Sequence, residues 1–182
     1  VFARGGHLDN ETIIKGCRLF QKYGVNVLAL NIMGAPVENP FEVDMETLDL
    51  NLKIKPALAS CGLLYPFPGT RIEEYSVKTG HLDSKQKGEF LESNKRSSLL
   101  KFNSKTEKLK VENLQKLTGL IVEFPFLRSF TRFLTSLPLT GFYHFLFYLH
   151  LGYCHKIRLS PVKSAREVQI WFGTLFRLLS KT

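Results

Sequence analysis

Hydrophobic residues in the first part of the chain alternate between helical spacing and unbroken runs. The helical stripe comprises Ile13, Ile14, Cys17 and Phe20. Asp9 or Asn10 can cap this helix, and Gly24 suits the position just after its end. Residues 25–33 are then almost wholly apolar, with β-branched side chains among them and a glycine on either side. Such a run predicts a strand buried on both faces of a parallel sheet.

A second helix and a second strand follow with similar punctuation. Asn39 stands at the N-cap position of this helix, Pro40 takes its first position, and Glu42 closes a capping box. The predicted buried stripe comprises Phe41, Met45, Leu48 and Leu52. Pro56 ends the helix, and a second apolar run covers residues 57–65. Strand, helix and strand in this order predict a βαβ unit.

Two loops follow the predicted strands, at residues 34–38 and 66–70. In the second loop a Pro-Gly pair favours a tight turn, and Thr70 with Glu73 offers another capping box for a short helix that ends near Gly80. In parallel α/β folds ligands bind at the carboxyl ends of the strands, which is where both loops lie. Neither loop contains a nucleophile–base pair or a phosphate-binding glycine motif, so the residues alone do not name a reaction.

The second half of the chain is predicted to be mainly helical. Residues from 82 to about 105 are polar and basic, which is typical of a linker or a mobile loop. A helix is then predicted with Leu114, Leu117 and Ile121 on one side. A last helix is predicted to start at Ser160-Pro161 and to carry Val168, Trp171, Leu175 and Leu178. These patterns divide the chain into residues 1–83, a linker 84–105 and a helical part 106–182.

Residues 133–155 contain no Asp, Glu, Lys or Arg, and as one helix this segment would be long enough to span a bilayer. Pro138, Gly141 and Gly152 interrupt it, however, and leave residues 141–151 as the best helical stretch. Its apolar side comprises Phe142, Phe145, Leu146 and Leu149, its other side Tyr143, His144, Tyr148 and His150, and its basic flanks Arg128, Arg132, Lys156 and Arg158. This pattern predicts contact with a membrane surface or an apolar partner, and a buried helix hairpin explains it equally well.

Charge is distributed unevenly along the chain. Residues 1–80 contain 8 Lys/Arg and 9 Asp/Glu, whereas residues 81–182 contain 17 and 7, so the net charge of +9 comes from the second part. Such asymmetry indicates either a partner with an anionic surface or a solvated basic face without a partner.

Cysteine and histidine spacing indicates no metal site. Cys17, Cys61 and Cys154 lie far apart in sequence, which matches neither a disulfide framework nor a metal knuckle, and a reducing compartment fits them best. We expect all three thiols to be inert packing residues. The C-terminal histidines His144, His150 and His155 are expected in an aromatic core or interface, because 144 and 150 point about 120° apart on a helix.

Two segments match the late part of a known domain in order and spacing. They are Asn31-Ile32-Met33-Gly34-Ala35-Pro36-Val37-Glu38 and, after a helix, Tyr65-Pro66-Phe67-Pro68-Gly69-Thr70. They resemble the loops after the fifth and sixth strands of the radical S-adenosylmethionine (SAM) domain in B12-binding family members. The resemblance covers about the first 83 residues. The later stretches Asn113-Leu114-Gln115-Lys116-Leu117 and Glu123-Phe124-Pro125 are loosely similar to the helical C-terminal extension of that family.

The resemblance implies an α/β fold, with the last βα units of a partial (β/α)6 radical SAM barrel followed by a mainly α-helical C-terminal extension. It implies bound SAM and a [4Fe-4S] cluster, often with cobalamin that carries methyl groups. The SAM side of the barrel would be lined by Asn31, Ile32, Met33, Gly34 and Glu38. Ile32 and Met33 would supply the apolar contact near the adenine. Catalytic residues are not identified by the resemblance.

The chain also departs from the family pattern. Val37 and Asn39 stand where the family usually has Gly and Thr. The C-x-x-x-C-x-x-C cluster motif, the first four strands and a cobalamin domain are absent, and the chain starts at Val1, so it is expected to be an excerpt of a longer protein. We therefore expect this chain alone to hold no cofactor, to generate no radical and to need the missing N-terminal portion as its partner.

Two hypotheses of different classes remain. The first is a fragment of a radical SAM enzyme, cytoplasmic and with an apolar substrate suggested by the aromatic tail. The second is a non-catalytic remnant that binds a membrane surface or a protein partner. Nucleic acid is not the expected partner for either.

Overall fold

The computed structural model describes residues 9–83 and 97–159 and shows a mixed α/β fold in which helices predominate. Its helices are α1 (Asn10–Lys22), α2 (Pro40–Ile54), α3 (Arg71–Lys78), α4 (Lys105–Glu123), α5 (Thr131–Ser136) and α6 (Thr140–Tyr153), and its strands are β1 (Leu28–Met33) and β2 (Leu58–Leu63). A 3-10 helix (Pro125–Phe130) precedes α5, and a π-helical segment (Cys154–Leu159) follows α6. The helix predicted from Ser160 onward and most of the predicted linker lie outside the described residues.

The start of α1 confirms the predicted cap. The Asp9 carboxylate accepts a hydrogen bond from the Thr12 backbone N–H at 2.7 Å, and Gly24 follows the helix with φ 75°. The predicted core-facing stripe is wrong, because α1 has no buried residue and Phe20 is 58% exposed. The physical reason is that among the described residues α1 packs mainly on α2, which covers little of its apolar side.

Strands β1 and β2 pair in parallel, as the βαβ prediction required. Leu28 lies beside Leu58 and Met33 beside Leu63, with the residues between them in the same register. The prediction that β1 is buried on both faces is wrong. Met33 is fully buried, but Leu30 and Ile32 are 75% and 67% exposed on the opposite face. Helices cover one face of this two-stranded sheet, and no described element covers β1 on the other.

Helix α2 lies on the covered face. Three of its four predicted stripe residues, Phe41, Met45 and Leu48, are buried, while Leu52 is partly buried. The predicted capping box does not form, because the Asn39 side chain makes no cap hydrogen bond. The Glu42 carboxylate is held instead by the Arg132 guanidinium, with two N–O distances of 2.7 Å.

Helix α4 forms the centre of the molecule. The main core combines residues from both strands, α2, α4 and α6: Met33, Phe41, Met45, Leu48, Cys61, Leu63, Val111, Leu114, Leu117, Ile121 and Tyr143. The predicted stripe of Leu114, Leu117 and Ile121 is thereby confirmed. At the edge of the sheet, the Gln115 side-chain amide donates to the Cys61 carbonyl at 2.7 Å. Helix α4 therefore binds the free edge of β2 as well as the covered face.

The segment just before α4, residues 97–104, packs on the rest of the fold. Leu100 is buried in a second cluster with Leu64 and Leu82. The Glu112 carboxylate accepts hydrogen bonds from the Ser97 hydroxyl and the Ser98 backbone N–H. One apolar side chain and one acidic acceptor thus anchor this segment, and the division of the chain at a linker over residues 84–105 stays a prediction.

The C-terminal helices return across α2 and α4. Helix α6 starts after Pro138, as predicted, but it continues through Gly152 and beyond the predicted end at 151. Its neighbours α4 and α5 fix its orientation, since Tyr143 donates from its hydroxyl to the Leu134 carbonyl at 2.9 Å. Within residues 9–83 and 97–159, no helix is both long and apolar enough to cross a membrane.

Two leucine variants test the asymmetry of the sheet. We expect Leu48→Ala to lower the free energy of unfolding of the 182-residue chain by about 2–5 kcal/mol, because Leu48 is fully buried in the core. The matched change Leu30→Ala is expected to cost less than about 0.5 kcal/mol, because Leu30 lies on the open face. Urea denaturation followed by circular dichroism measures both, and a large cost at Leu30 would contradict the open face.

Candidate functional site

The two predicted loops lie side by side at the carboxyl ends of the strands. Because β1 and β2 are parallel, both strands have their carboxyl ends at the same end of the sheet. The Leu64 backbone N–H donates to the Met33 carbonyl at 2.7 Å and extends the pairing to the start of the loops. The arrangement is the one in which parallel α/β folds place their ligand sites.

Gly34 begins the first loop and depends on the absence of a side chain. Its φ is 74°, and a Cβ built at this position would lie 3.2 Å from Cγ1 of Val111. Its backbone N–H donates to the Asp44 carboxylate, at 3.0 Å from Oδ2 and 3.2 Å from Oδ1. Added bulk at Gly34 would therefore meet the core and not open space, which identifies this glycine as part of the support of the loop.

Asp44 is the most perturbed carboxylate near these loops. It is 2% exposed, and burial raises its pKa to about 7, against the lowering effect of the Gly34 N–H. A carboxyl group that titrates near neutral pH is a feature of functional sites. The sequence analysis did not single out Asp44. Its position was nevertheless a signal, because an aspartate that lies on the apolar stripe of Phe41, Met45 and Leu48 is expected to be buried.

The five predicted site residues do not share one side of the sheet. Asn31 faces α2, where its side-chain amide donates to Oδ1 of Asn51 at 3.3 Å and its Oδ1 accepts from Nδ2 of Asn51 at 3.0 Å. Met33 faces the same way and is fully buried in the core. Ile32 points to the open face, and Glu38 is exposed in the loop. Side-chain contact with a ligand is thus available to Ile32 and Glu38.

The second loop is closed by its own helix cap. The Thr70 hydroxyl accepts a hydrogen bond from the Glu73 N–H at 3.4 Å, as the capping-box prediction required. The Glu73 carboxylate, however, reaches one residue further and accepts from the Gly69 N–H at 2.8 Å through Oε2. Glu73 is fully buried, and Oε1 has no hydrogen-bond partner among the described residues. The loop is therefore organised around one buried acidic side chain.

The open face of the sheet adjoins both loops. On β1 it presents Leu28, Leu30 and Ile32 to solvent. Ser60 and Gly62 of β2 lie beside Leu30 and Ile32 in the register and are half-buried. Three large exposed aliphatic residues on one strand form a contiguous apolar surface, and such surfaces mark positions that another element or a ligand covers.

The cysteines occupy three different elements. Cys17 is half-buried on α1, Cys61 is buried on β2 and Cys154 is buried at the end of α6, and none forms a disulfide. Burial raises the pKa of the Cys61 thiol to about 12, which fits an inert packing residue. The chain thus supplies no group of three thiolates that resembles a cluster-binding motif.

The histidines have different surroundings. The buried His144 ring stacks on Tyr148 with ring centroids 4.8 Å apart, which confirms the aromatic environment predicted for it. His150 instead faces α4, where its Nε2 lies 3.9 Å from Oε2 of Glu123. The same nitrogen lies 3.5 Å from Sγ of Cys154, just after α6. The three ligand atoms lie within 4.8 Å of one another, so Glu123, His150 and Cys154 could hold a metal ion.

Charge and burial act in opposite directions in this group. Burial lowers the pKa of His150, with the Glu123 carboxylate opposing it, and burial raises the pKa of the Cys154 thiol. The Arg158 guanidinium also contacts Glu123, 2.5 Å from Oε1. The sequence analysis missed this group because its third member, Glu123, lies on another helix. The available signal was the spacing of His150 and Cys154, which are one helical turn apart.

Comparisons with known proteins add no assignment. No protein-family model, curated protein or solved structure matches this chain. A function for it therefore depends on the geometry above and on the resemblance of its two loops.

Stability against pH tests the buried carboxyl group. The folded chain holds the Asp44 proton up to a pH of about 7, whereas the unfolded chain releases it near the ordinary pKa of 3.8. The contribution of Asp44 to stability is therefore greatest below pH 4 and is lost as the pH rises to about 7. Between about pH 5 and pH 8 we expect a loss on the order of 2–3 kcal/mol.

Asp44→Asn should remove this loss, because the amide does not ionise. Urea denaturation at the two pH values measures it, with Glu46→Gln on the exposed side of α2 as the matched control. An equal pH dependence in the wild type and in Asp44→Asn would refute the assignment.

Proposed function

We propose that this chain is the C-terminal part of a radical SAM enzyme: the last two βα units of its partial barrel and the helical extension that follows. The observation that supports the proposal best is the open side of β1. The intact enzyme would bind SAM and a [4Fe-4S] cluster, and cobalamin in those relatives that transfer methyl groups. The missing N-terminal portion of the same protein is then the principal partner of this chain.

The strand β1 has the features of an internal strand. Within the described residues it pairs with β2 on one edge and with nothing on the other. Its exposed face carries Leu28, Leu30 and Ile32, with no charged or proline residue to protect the edge. Edge strands in folded proteins usually carry such protection, because an unprotected edge pairs with other chains. A preceding strand on this edge would explain the composition of β1.

The position of the open face also suits a barrel. Helices α2 and α4 cover the face that carries Met33, so the opposite face corresponds to the interior of a (β/α) barrel. The exposed apolar side of α1, with Leu19, Phe20 and Tyr23, is likewise suited to contact with a further βα unit. Both surfaces belong to elements before α2, where the missing portion would attach.

SAM would lie at the carboxyl ends of the strands. Ile32 is suited to contact the adenine from the open face, and the exposed Glu38 carboxylate is suited to a polar group of SAM. Asn31, Met33 and Gly34 would act on SAM only through the backbone or by supporting the loop, because their side-chain positions point into the helical layer. The cluster, which cleaves SAM reductively to a 5′-deoxyadenosyl radical, would be held by cysteines of the preceding segment.

The reading frame upstream and two substitutions test the proposal. We expect the DNA before the codon for Val1 to encode C-x-x-x-C-x-x-C in frame. In the protein expressed from the complete frame, Ile32→Ala and Glu38→Ala should each weaken SAM binding by roughly tenfold, through lost apolar contact and a lost charged hydrogen bond. Isothermal titration calorimetry under anaerobic conditions measures the affinity.

Leu28→Ala and Glu46→Ala serve as matched controls, because they change an exposed branched aliphatic residue of β1 and an exposed glutamate away from the loop. SAM affinity that is unchanged in both site variants, or an upstream frame without the cysteine motif, would overturn the proposal.

A second candidate function has its own supporting observation, an apolar surface on the C-terminal helices. We call it the aromatic surface, and it comprises Phe124, Phe126, Phe142, Phe145, Leu149, Tyr153 and Ile157, all exposed. Leu149, Tyr153 and Ile157 share a cavity with Phe124. The alternative of a buried hairpin requires this side of α6 to be covered, and within the described residues it is not. Contact with a membrane surface or an apolar partner is the function that such a surface favours.

Three of the four predicted basic flanking residues, all but Lys156, contribute little free charge to this surface. Arg128 is paired with Asp49, Arg132 with Glu42 and Arg158 with Glu123. Anionic headgroups would therefore have to compete with carboxylates that already hold these guanidinium groups. Apolar contact is expected to dominate over charge.

Liposome flotation tests this second function. We expect the 182-residue chain to float with vesicles, and Phe142→Ser combined with Phe145→Ser to reduce the bound fraction at least fivefold, because about 2 kcal/mol or more of apolar burial is removed. Leu28→Ser combined with Leu30→Ser is the matched control, since it also removes two exposed apolar residues, on β1. Absence of binding would contradict the prediction, and resistance to carbonate extraction from cell membranes would replace it with a spanning segment.

A further inference from the structure

We propose that Glu123, His150 and Cys154 form a binding site for a zinc-type divalent metal ion between α4 and α6. The three residues supply a carboxylate oxygen, an imidazole nitrogen and a thiolate sulfur, which is a ligand set that Zn²⁺ accepts. The SAM chemistry does not use this site, and the contact proposed for the aromatic surface needs none of its three ligands. Its success or failure is therefore independent of the proposed function.

The distances suit one shared ion. Tetrahedral bonds of about 2.0–2.1 Å to nitrogen and about 2.3 Å to sulfur place these two atoms roughly 3.6 Å apart. In the structure, Nε2 of His150 and Sγ of Cys154 are 3.5 Å apart. Oε2 of Glu123 is 3.9 Å from the same nitrogen, a little more than the roughly 3.4 Å of a tetrahedral site. All three ligand atoms lie within 4.8 Å of one another, so binding of the ion requires Glu123 to move closer to the other two ligands.

Both helices present their ligands from one face. His150 lies on α6 and Cys154 follows it by four residues, at the start of the π-helical segment, so their side chains lie on one side of the continuous helix. Glu123 is the last residue of α4 and faces them across the helix pair. Its second oxygen, Oε1, is held by Arg158 at 2.5 Å, which orients the carboxylate and leaves Oε2 for the ion.

Gly119 leaves room for the His150 ring. A Cβ at position 119 would lie 2.8 Å from Nδ1 of His150 and 3.1 Å from the Ala59 carbonyl oxygen. Glycine inside a helix costs about 1 kcal/mol relative to alanine, so its presence here needs a packing reason. The reason is the imidazole ring, which any larger residue would displace.

The chain also changes its helical geometry at this site. Helix α6 passes into the π-helical segment at Cys154, and that segment continues to Leu159. Such segments are rare and occur frequently at functional sites. Here the wider turn accompanies the approach of Arg158 to Glu123.

A fourth ligand has access from one side. Glu123 and His150 also line a cavity of about 580 Å³, whose other walls are mostly apolar and include Phe124, Leu149 and Tyr153. Three protein ligands and an accessible fourth position are the arrangement of zinc sites that retain a water molecule or bind a further ligand. The site is therefore open on the side of the aromatic surface.

Cobalt substitution tests the site in the 182-residue chain. Titration with Co²⁺ under anaerobic, reducing conditions should give one equivalent of bound metal with a thiolate-to-cobalt charge-transfer band, which Zn²⁺ abolishes by displacement. Cys154→Ser should remove the band, and His150→Ala or Glu123→Gln should weaken Co²⁺ binding tenfold or more, as loss of a ligand requires. Cys17→Ser and His155→Gln, which change the same residue types outside the group, should leave both unchanged.

A second measurement covers variants that fold poorly. Zn²⁺ should raise the melting temperature of the wild type by several degrees, and this rise should be absent in Cys154→Ser. If Cys154→Ser does not fold, a band retained in the double variant Cys17→Ser, Cys61→Ala still assigns the thiolate to Cys154. The proposal is overturned if the wild type binds no Co²⁺ with a thiolate band, if the band survives Cys154→Ser, or if it disappears in Cys17→Ser. In each of those cases the three residues form a hydrogen-bonded ion-pair group with Arg158 and nothing more.

Discussion

The outer edge of β2 is closed by a helix side chain, the Gln115 amide on the Cys61 carbonyl, and the rest of the structure depends on this contact. Two paired strands alone are at best marginally stable in water, so they require another element. Helix α4 supplies it by placing Val111 and Leu114 against the covered face while Gln115 binds the edge. Helix α4 thus lies along the edge of β2, and within the described residues the edge of β1 has no strand beside it.

This one-sided closure explains where charge and apolar area lie. The covered face is held by the core and by two ion pairs that join the C-terminal helices to α2, from Arg128 to Asp49 and from Arg132 to Glu42. Both pairs are partly exposed and contribute little individually, but they fix the position of α5 beside α2. The free edge and open face of β1 remain as the surface through which the chain would join further strands.

Local signals predicted the fold better than they predicted burial. The Asp9 cap, Gly24 and the Thr70 cap depend on neighbouring residues, and the parallel strands follow from the order strand, helix, strand, so all were predictable from the sequence. The open face of β1 could not be predicted. The hydrophobicity of a residue shows that it suits burial, but it does not show whether the element that would cover it is present in this chain. The failed cap at Asn39 has a similar cause. Its partner Glu42 is taken by Arg132, 90 residues further along the chain.

The candidate sites were harder to predict for the same physical reason. Asp44 was hidden within an apolar stripe, and the group of Glu123, His150 and Cys154 exists only because α6 returns along α4. The return is fixed at Gly119, where the absence of a side chain admits the His150 ring. Once that ring faces α4, helical geometry turns Tyr143, Phe147 and Cys154 inward and leaves the other side of α6 facing out. The group of Glu123, His150 and Cys154 and the aromatic surface are thus two consequences of a single helix contact, so a change that displaces the ring at Gly119 is expected to alter both.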